Sequence, residues 1–442
     1  MKIKHIHLAA MAIACSAVVA QAKVSSDDLA RLGKDLTPMG AEKAGSKDAV
    51  IPAWDGGLCK GTRGADPFAA EKPLYTITAA NAEQYKAKLS AGHLAMLKKY
   101  PDWKMPVYQT HRTFCAPQAI YDAIRNEAAA MELSDNGMTL KGRTNSTTPF
   151  PVPKDALEAM YNHTVRNRSP GFERDINWVA VKPNGDSYHM RGREKTVYDQ
   201  NMDSRSDNRL FSWVGQYFEP ATLDGSILLM WSPVSYSAEM QTIWGYNAGL
   251  RRVRRLPDAN YDFVPEGTEG YRVGDQYDGF NGPTDRYNWK LVGKREVIVP
   301  YNNAKPLDAK IKQAGDLLMS KKPIINPDLL RYETHRVWVI EADLKEGQRH
   351  VYPKRTFYLD EDSWAVVLED VYDTRGQLWR LGEHHLAQYA DVPIQWYSVN
   401  AWYDLSAGAA VIQRDNAASV KFNVKGTKAE FSADNLRRLG TK

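Results

Sequence analysis

The chain has 442 residues, of which 43% are apolar and 25% charged, so it has material for a sizeable core. Its 58 Lys and Arg against 53 Asp and Glu give a formal charge of +5, too close to neutrality for nucleic acid as the main partner. After the first 22 residues no apolar run reaches the eighteen or so needed to span a membrane.

Those first 22 residues read as an export signal. Lys2 and Lys4 precede a short apolar run, Leu8 to Ala20, and Ala20-Gln21-Ala22 is a small-x-small cleavage site. Cleavage after Ala22 places the mature chain, from Lys23, in the periplasm. The alternative is lipid attachment at Cys15, giving an outer-membrane lipoprotein. Two cysteines remain, Cys59 and Cys115, and an even pair in an exported chain reads as a disulfide. Their spacing is far from Cys-x-x-Cys, so a structural bridge is expected rather than a redox pair.

Residues 23–171 read as helical and loop-rich. Ser26 caps a short helix to Leu36, and Thr78 caps an amphipathic helix closed by Pro101. Pro117 opens a third helix stopping near Gly137, and Asp155–Val165 is a fourth. The character changes near Phe172. Strands are predicted at Ile176–Val181, Ser187–Tyr198, Leu210–Tyr217, Ser226–Ser235, Gln241–Leu256 and Tyr287–Val299. A helix over Leu307–Met319 follows. Strands then resume at Thr334–Ala342, Arg349–Leu359, Trp364–Tyr372 and Gln377–Tyr389, close enough for an antiparallel meander. The sheet region is taken as 172–410, with a C-terminal extension over 411–442 that contains a short helix.

Three stretches carry a resemblance. They are Leu36-Thr-Pro-Met-Gly-Ala-Glu-Lys-Ala-Gly45 with Ile51-Pro-Ala-Trp54; Tyr277-Asp-Gly-Phe-Asn-Gly-Pro-Thr-Asp-Arg-Tyr-Asn-Trp-Lys-Leu-Val-Gly-Lys294; and Tyr332 to Trp364, ending Phe357-Tyr-Leu-Asp-Glu-Asp-Ser-Trp364. Together they resemble the domain-of-unknown-function thirteen-twenty-nine family, described as similar to outer-membrane lipoprotein-sorting proteins. The resemblance implies a lipoprotein-carrier-like fold, mainly β with helices (α+β): a large, curved, open antiparallel half-barrel with helices on its concave face. It assigns no role to the N-terminal third. Leu307–Met319 is where a plug or lid is expected.

Aromatic residues are the main chemical signal, because acyl chains need apolar walls with polar groups only at the mouth. Trp231, Trp244 and Trp338 are the candidate wall residues. The bland alternative is that such residues fill a sheet core. Arg251-Arg252-Val253-Arg254-Arg255 puts guanidinium on both faces of a strand. Arg252 and Arg254 are the candidate mouth contacts for an anionic head group, against the alternative of a solvated edge strand. His384 and His385 point to opposite faces and do not chelate alone. No hydrolase, zinc-protease, calcium-loop or phosphate-loop motif occurs, so no metal, cofactor or catalytic residue is assigned.

The resulting expectation is a non-enzymatic periplasmic binding or carrier protein for a lipid or other hydrophobic small molecule. It would work on the outer-membrane side of the envelope, with peripheral membrane contact and an envelope transporter as a further partner. The alternatives are an accessory subunit of an envelope export system without ligand, and a lipid or ester hydrolase.

Overall fold

The computed structural model describes residues 24–142, 147–257, 259–320 and 322–440. The leader, its cleavage after Ala22 and the Cys15 alternative lie outside the described residues.

The N-terminal region contains less helix than its periodicity predicts. Helix α1, Ser26–Arg31, is capped by Ser25 rather than Ser26, the Ser25 hydroxyl accepting from the Asp28 N–H at 3.1 Å, and it stops short of Leu36. The helix expected from Thr78 to Pro101 is two pieces. A 3-10 turn covers Ala82–Lys88, the backbone is extended at Leu89, and α2, Ala91–Lys99, restarts from a Ser90 cap. A carboxylate from the sheet decides that restart: Asp370 accepts from the N–H groups of Ala91 and Gly92 and from the Ser90 hydroxyl, each at 3.0 Å. Helix α3 is Gln118–Glu127, and α4, Ala156–Val165, starts at the expected Asp155 cap. Four short strands belong to this region: β1 Tyr75–Ile77, β2 Met105–Val107, β3 Glu132–Ser134 and β4 Thr139–Lys141. The Cys59–Cys115 disulfide is present, with Cα atoms 5.4 Å apart.

The first long strands are β5 Gly171–Val181, β6 Ser187–Tyr198, β7 Phe211–Glu219 and β8 Ile227–Ser232. The expected single strand Gln241–Leu256 is a hairpin, β9 Thr242–Asn247 with β10 Arg252–Arg255. Then come β11 Tyr287–Pro300, β12 Tyr332–Leu344, β13 Lys354–Asp360, β14 Val366–Tyr372, β15 Leu378–Tyr389, β16 Ile394–Asp404, β17 Ala409–Asp415 and β18 Lys421–Phe422, with helix α5 at Ala433–Gly440. Neither β16 nor β17 is expected from the pattern. Every residue of β16 is buried, so it lacks the alternation that marks a half-exposed strand. The division at residue 410 falls inside β17.

Among the described residues, sixteen strands form one open sheet. Its order is β1-β2-β12-β13-β14-β15-β16-β17-β5-β6-β7-β8-β9-β10, with β11 also on β12 and β18 on β5. All pairings are antiparallel except one parallel contact, Val107 with Tyr332. The two sequence blocks join where β17 pairs with β5, Gln413 opposite Trp178. Each strand therefore presents alternate residues to one of two continuous faces.

One face carries Trp178, Glu194, Trp213, Met230, Ile243, Val411 and Trp402, in mutual register across β5–β9, β17 and β16. Toward the β12–β14 end the same face packs Ile340, Phe357, Leu359 and Val366 against residues of α1, α3 and α4. The opposite face holds the largest apolar cluster, including Val399, Ala401, Tyr403 and Ile412, with α2 packed on it. Helix α5 covers that opposite face near β8 and β9.

The segment Leu307–Met319 is not the expected helix, and it does not plug the cavity face. It forms 3-10 turns at Lys305–Leu307 and Ala314–Leu317, and its Ala314 and Leu317 pack on the opposite face. Side chains take the backbone donors that a helix would use: Asp308 accepts from the Lys310 N–H, Asp316 from Lys312 and Gln313, and Asn177 of β5 from Ala314.

Candidate functional site

A cavity of about 250 Å³ lies on the first face, over β5–β9, β16 and β17. Its floor is apolar and aromatic: Ile176 and Trp178 from β5, Trp213 and Tyr217 from β7, Leu228 and Met230 from β8, Ile243 from β9 and Trp402 from β16. Strand alternation delivers one wall residue every second position, and the long β-rich sequence supplies large side chains at those positions. Its roof is the connection from residue 259 to 286, which contributes Phe263, Val264, Pro265, Thr268, Arg272 and Tyr277. A connection this long with only a one-turn 3-10 helix, Gly274–Gln276, is unusual in a compact domain. Leu256 and Val264, both lining the cavity, are exposed by 37% and 57%, so the apolar lining continues to the surface.

Buried ion pairs pin the far end of the roof. Asp278 accepts from both guanidinium nitrogens of Arg166, at 2.6 and 2.7 Å, and pairs with Arg168. Those two cations hold the Asp278 carboxyl well below the usual carboxylate range against its own burial. The His163 ring contacts the Asp278 carbonyl at 2.8 Å, and Asp275 pairs with Arg355 at 2.8 Å. Thus Asp275 ties the roof to β13 of the sheet, and Asp278 ties it to α4 and the segment that follows.

The polar groups of the residues lining the cavity fall into two sets. Glu194 is fully engaged: Arg174 donates to Oε1 at 2.7 Å and the Trp213 indole N–H to Oε2 at 2.9 Å. The indole N–H groups of Trp178 and Trp402 and the Tyr277 hydroxyl are buried without a partner among the described residues. Arg272 lies over the Trp402 ring, 4.9 Å from its centroid, and makes no ion pair among the described residues.

None of the three sequence-selected tryptophans lines this cavity. Trp231 and Trp244 alternate onto the other face, since Met230 and Ile243 point into the cavity. Their rings meet at 4.3 Å, and the Trp231 indole N–H donates to the Phe431 carbonyl at 2.9 Å, so they form the seat of the C-terminal segment. Trp338 shares the cavity face but sits near its far end, stacked on Trp364 at 6.1 Å. A period-2 pattern alone does not say which of two buried faces a residue takes, which is why the pattern does not single out the cavity residues Trp178 and Trp213. Arg252 and Arg254 are exposed on the edge strand β10. Arg254 stands opposite Gly245 and alternates with Leu256, which places both arginines on the cavity face beside its open side.

Other constellations serve the framework. His384 contacts Asn400 at 2.7 Å, and burial pushes it down to about 4. His385 lies on the other face with Glu383, which the His93 ring contacts at 2.9 Å. The fold brings His335 together with Asp360 and Asp362, their ligand atoms within 4.8 Å. Asp362 is held bidentately by Arg112, and Asp360 accepts from the Ser363 N–H at 2.9 Å and from the Tyr301 hydroxyl at 3.2 Å. The Ser187 hydroxyl and His189 ring are 3.0 Å apart, but this is an exposed contact between next-but-one residues on one strand face. No helix among the described residues is long and apolar enough to cross a membrane.

An open, mainly antiparallel sheet with a roofed apolar cavity is the architecture of this chain. Residues 76–437 match the family model described as protein of unknown function (DUF1329), and the chain belongs to that family. An uncharacterized protein of Pseudomonas aeruginosa is 40% identical over 452 aligned positions, covering 99% of this chain and 98% of the relative. Among solved structures, a domain of the outer-membrane lipoprotein-sorting type from Vibrio parahaemolyticus is 14% identical, covering 64% of this chain and 98% of its own, with a TM-score of 0.45. A DUF1329 family protein from Desulfovibrio piger is 12% identical, covering 61% of this chain and 92% of its own, with a TM-score of 0.42.

Proposed function

We propose that this chain is a non-enzymatic periplasmic binding or carrier protein for a hydrophobic, lipid-like molecule. The observation that carries the reading is the roofed cavity: apolar floor, apolar roof, and exposed apolar residues at its opening. Such a space shields an apolar chain from water, and burying apolar surface contributes roughly 25 cal/mol per Å². Release follows from movement of the roof, whose buried ion pairs lie at its Asp275–Asp278 end. Arg252 and Arg254 act at the opening by steering anionic ligands inward, an effect on association rate rather than on affinity. The Cys59–Cys115 bridge supports an oxidising compartment outside the cytoplasm. Exchange with the outer membrane or an envelope transporter is the corresponding setting.

The test is saturable uptake of a fluorescent fatty acid by the delipidated protein, compared with Gly245→Leu. A Cβ at Gly245 makes only ordinary contacts, at 3.4 and 3.6 Å from Leu228 and Leu256, so a leucine there extends into the space beside them. One-to-one uptake that Gly245→Leu abolishes is expected. Absence of saturable uptake by the wild type overturns the carrier reading.

A further inference from the structure

The carrier reading leaves open what the ligand's polar end is and where it lies. The cavity wall answers this through its unsatisfied groups. Apart from Arg252 and Arg254 at the opening, four charged groups lie near the space. Arg174 and Glu194 neutralise each other, and Arg174 is also paired with Asp415. Glu266 is exposed at the rim of the roof. Arg272 remains. Its guanidinium rests on the Trp402 ring, which supplies a π-face but no hydrogen-bond acceptor in the guanidinium plane. The five donors of that fork have no carboxylate among the described residues.

In residues around the same space three further donors are buried without a partner among the described residues: the indole N–H groups of Trp178 and Trp402 and the Tyr277 hydroxyl. Donors without acceptors, gathered on one cavity, are the complement of an anion rather than of a cation or a neutral hydrocarbon. Burial pushes the Tyr277 and Tyr217 phenols far above their ordinary value, so both keep their protons. Burial also pulls the Arg272 guanidinium down from its ordinary value, the sign of a cation short of a counter-charge. The volume sets the size of the ligand. At about 250 Å³ the cavity lies below the roughly 300–1,000 Å³ of drug-sized sites, room for one chain rather than several.

Resting on the carrier reading, we infer that the ligand is a single-chain anionic amphiphile whose carboxylate or phosphate head is held inside the cavity by Arg272, with Trp178, Trp402 and Tyr277 as supplementary donors. The acyl chain then lies along Met230, Leu228 and Ile243. Because Arg272 belongs to the roof and Trp402 to the floor, the bound anion joins the two.

The experiment compares matched ligands of one chain length, a fatty acid, an alkyl phosphate and the corresponding fatty alcohol, on the full-length delipidated protein. Wild type is expected to bind both anions at least about tenfold more tightly than the alcohol, the scale of a charge-assisted contact. Arg272→Gln is expected to remove that preference while leaving alcohol affinity within about twofold, with melting unchanged or raised. Arg272→Lys keeps the charge but loses the fork, and an intermediate preference is expected. The double variant Arg252→Gln, Arg254→Gln is expected to keep the equilibrium preference and slow anion association. A tighter carboxylate names a fatty-acid-like head, a tighter phosphate a phospholipid-like one. If the alcohol binds as tightly as the anions, or if the preference survives in Arg272→Gln, the head-group assignment falls and the carrier reading stands. If no ligand of the series binds, both fall together.

Discussion

Gly267 in the roof lies directly against Met190 in β6: a Cβ on Gly267 would stand 1.4 Å from the Met190 sulphur. Gly267 also has φ of +73°, a conformation that other residues adopt at a cost. The roof is seated on the sheet by this contact and by Asp275 on Arg355, while Asp278 holds it to the segment after α4. Gly267→Ala should therefore lift the roof from the fully buried Met190 side chain. Limited proteolysis between residues 259 and 272 should accelerate several-fold, with a loss of about 1–3 kcal/mol in global stability. Unchanged cleavage would mean that the roof is not seated at Met190.

Trp231 gives a contrasting expectation. It holds the C-terminal segment, through its indole N–H to Phe431 and its contact with Trp244, and it is remote from the cavity face. Trp231→Ala should cost about 2–3 kcal/mol, at the low end for a large aromatic because it is only partly buried. Hydrogen exchange should quicken in Ala433–Gly440, while fatty-acid uptake stays as in the wild type. Loss of uptake with α5 still protected would return Trp231 to the cavity wall.

Glu158 in α4 predicts a pH effect. Burial raises its carboxyl from the ordinary value to about 7, and its Oε2 accepts from the Lys154 N–H at 2.7 Å. A carboxyl raised on folding favours the folded state below its unfolded value, near 4.5, and that contribution is lost as pH rises through about 7. Glu158→Gln keeps the acceptor and removes the titration. Its stability should match wild type near pH 4.5 and exceed it at pH 8 by on the order of 1 kcal/mol, the full shift being discounted for solvent access. Denaturant titrations at the two pH values decide; equal differences at both exclude Glu158 as the source.

Opening the Cys59–Cys115 bridge should be costly, because it closes a loop of 56 residues. The chain-entropy model gives about 4 kcal/mol for such a loop. Cys59→Ser with Cys115→Ser should lower stability by a comparable amount at oxidising poise, and the difference from wild type should shrink under a reductant that opens the bridge. Wild type should show no free thiol after denaturation without reductant and two after reduction, counted on the chain from Lys23.

Much of the architecture is legible in the chain. The strand Ser187–Tyr198, the long β11 and the α4 cap at Asp155 follow from local alternation and capping chemistry, and the cysteine pair follows from parity. The sheet's joining of two sequence blocks was also readable from the family-like motifs. Those motifs now have structural reasons: Asp278 anchors the roof, and Asp360 to Trp364 packs beside the N-terminal segment.

What the chain does not disclose is decided by partners distant in sequence. Asp370 sets where α2 begins, and Asn177 helps to keep Leu307–Met319 from becoming a helix. A strand buried on both faces, such as β16, has no polar side to betray its period. For the same reason Trp231 and Trp402 look equivalent in sequence, each a large apolar residue in a strand. Only the register that sets Met230 opposite Ile243, and Val411 opposite Trp402, sends one tryptophan under α5 and the other into the cavity. Arg272 carries no local mark either. Its isolation is a property of the assembled space, where every neighbouring carboxylate is already paired or faces water.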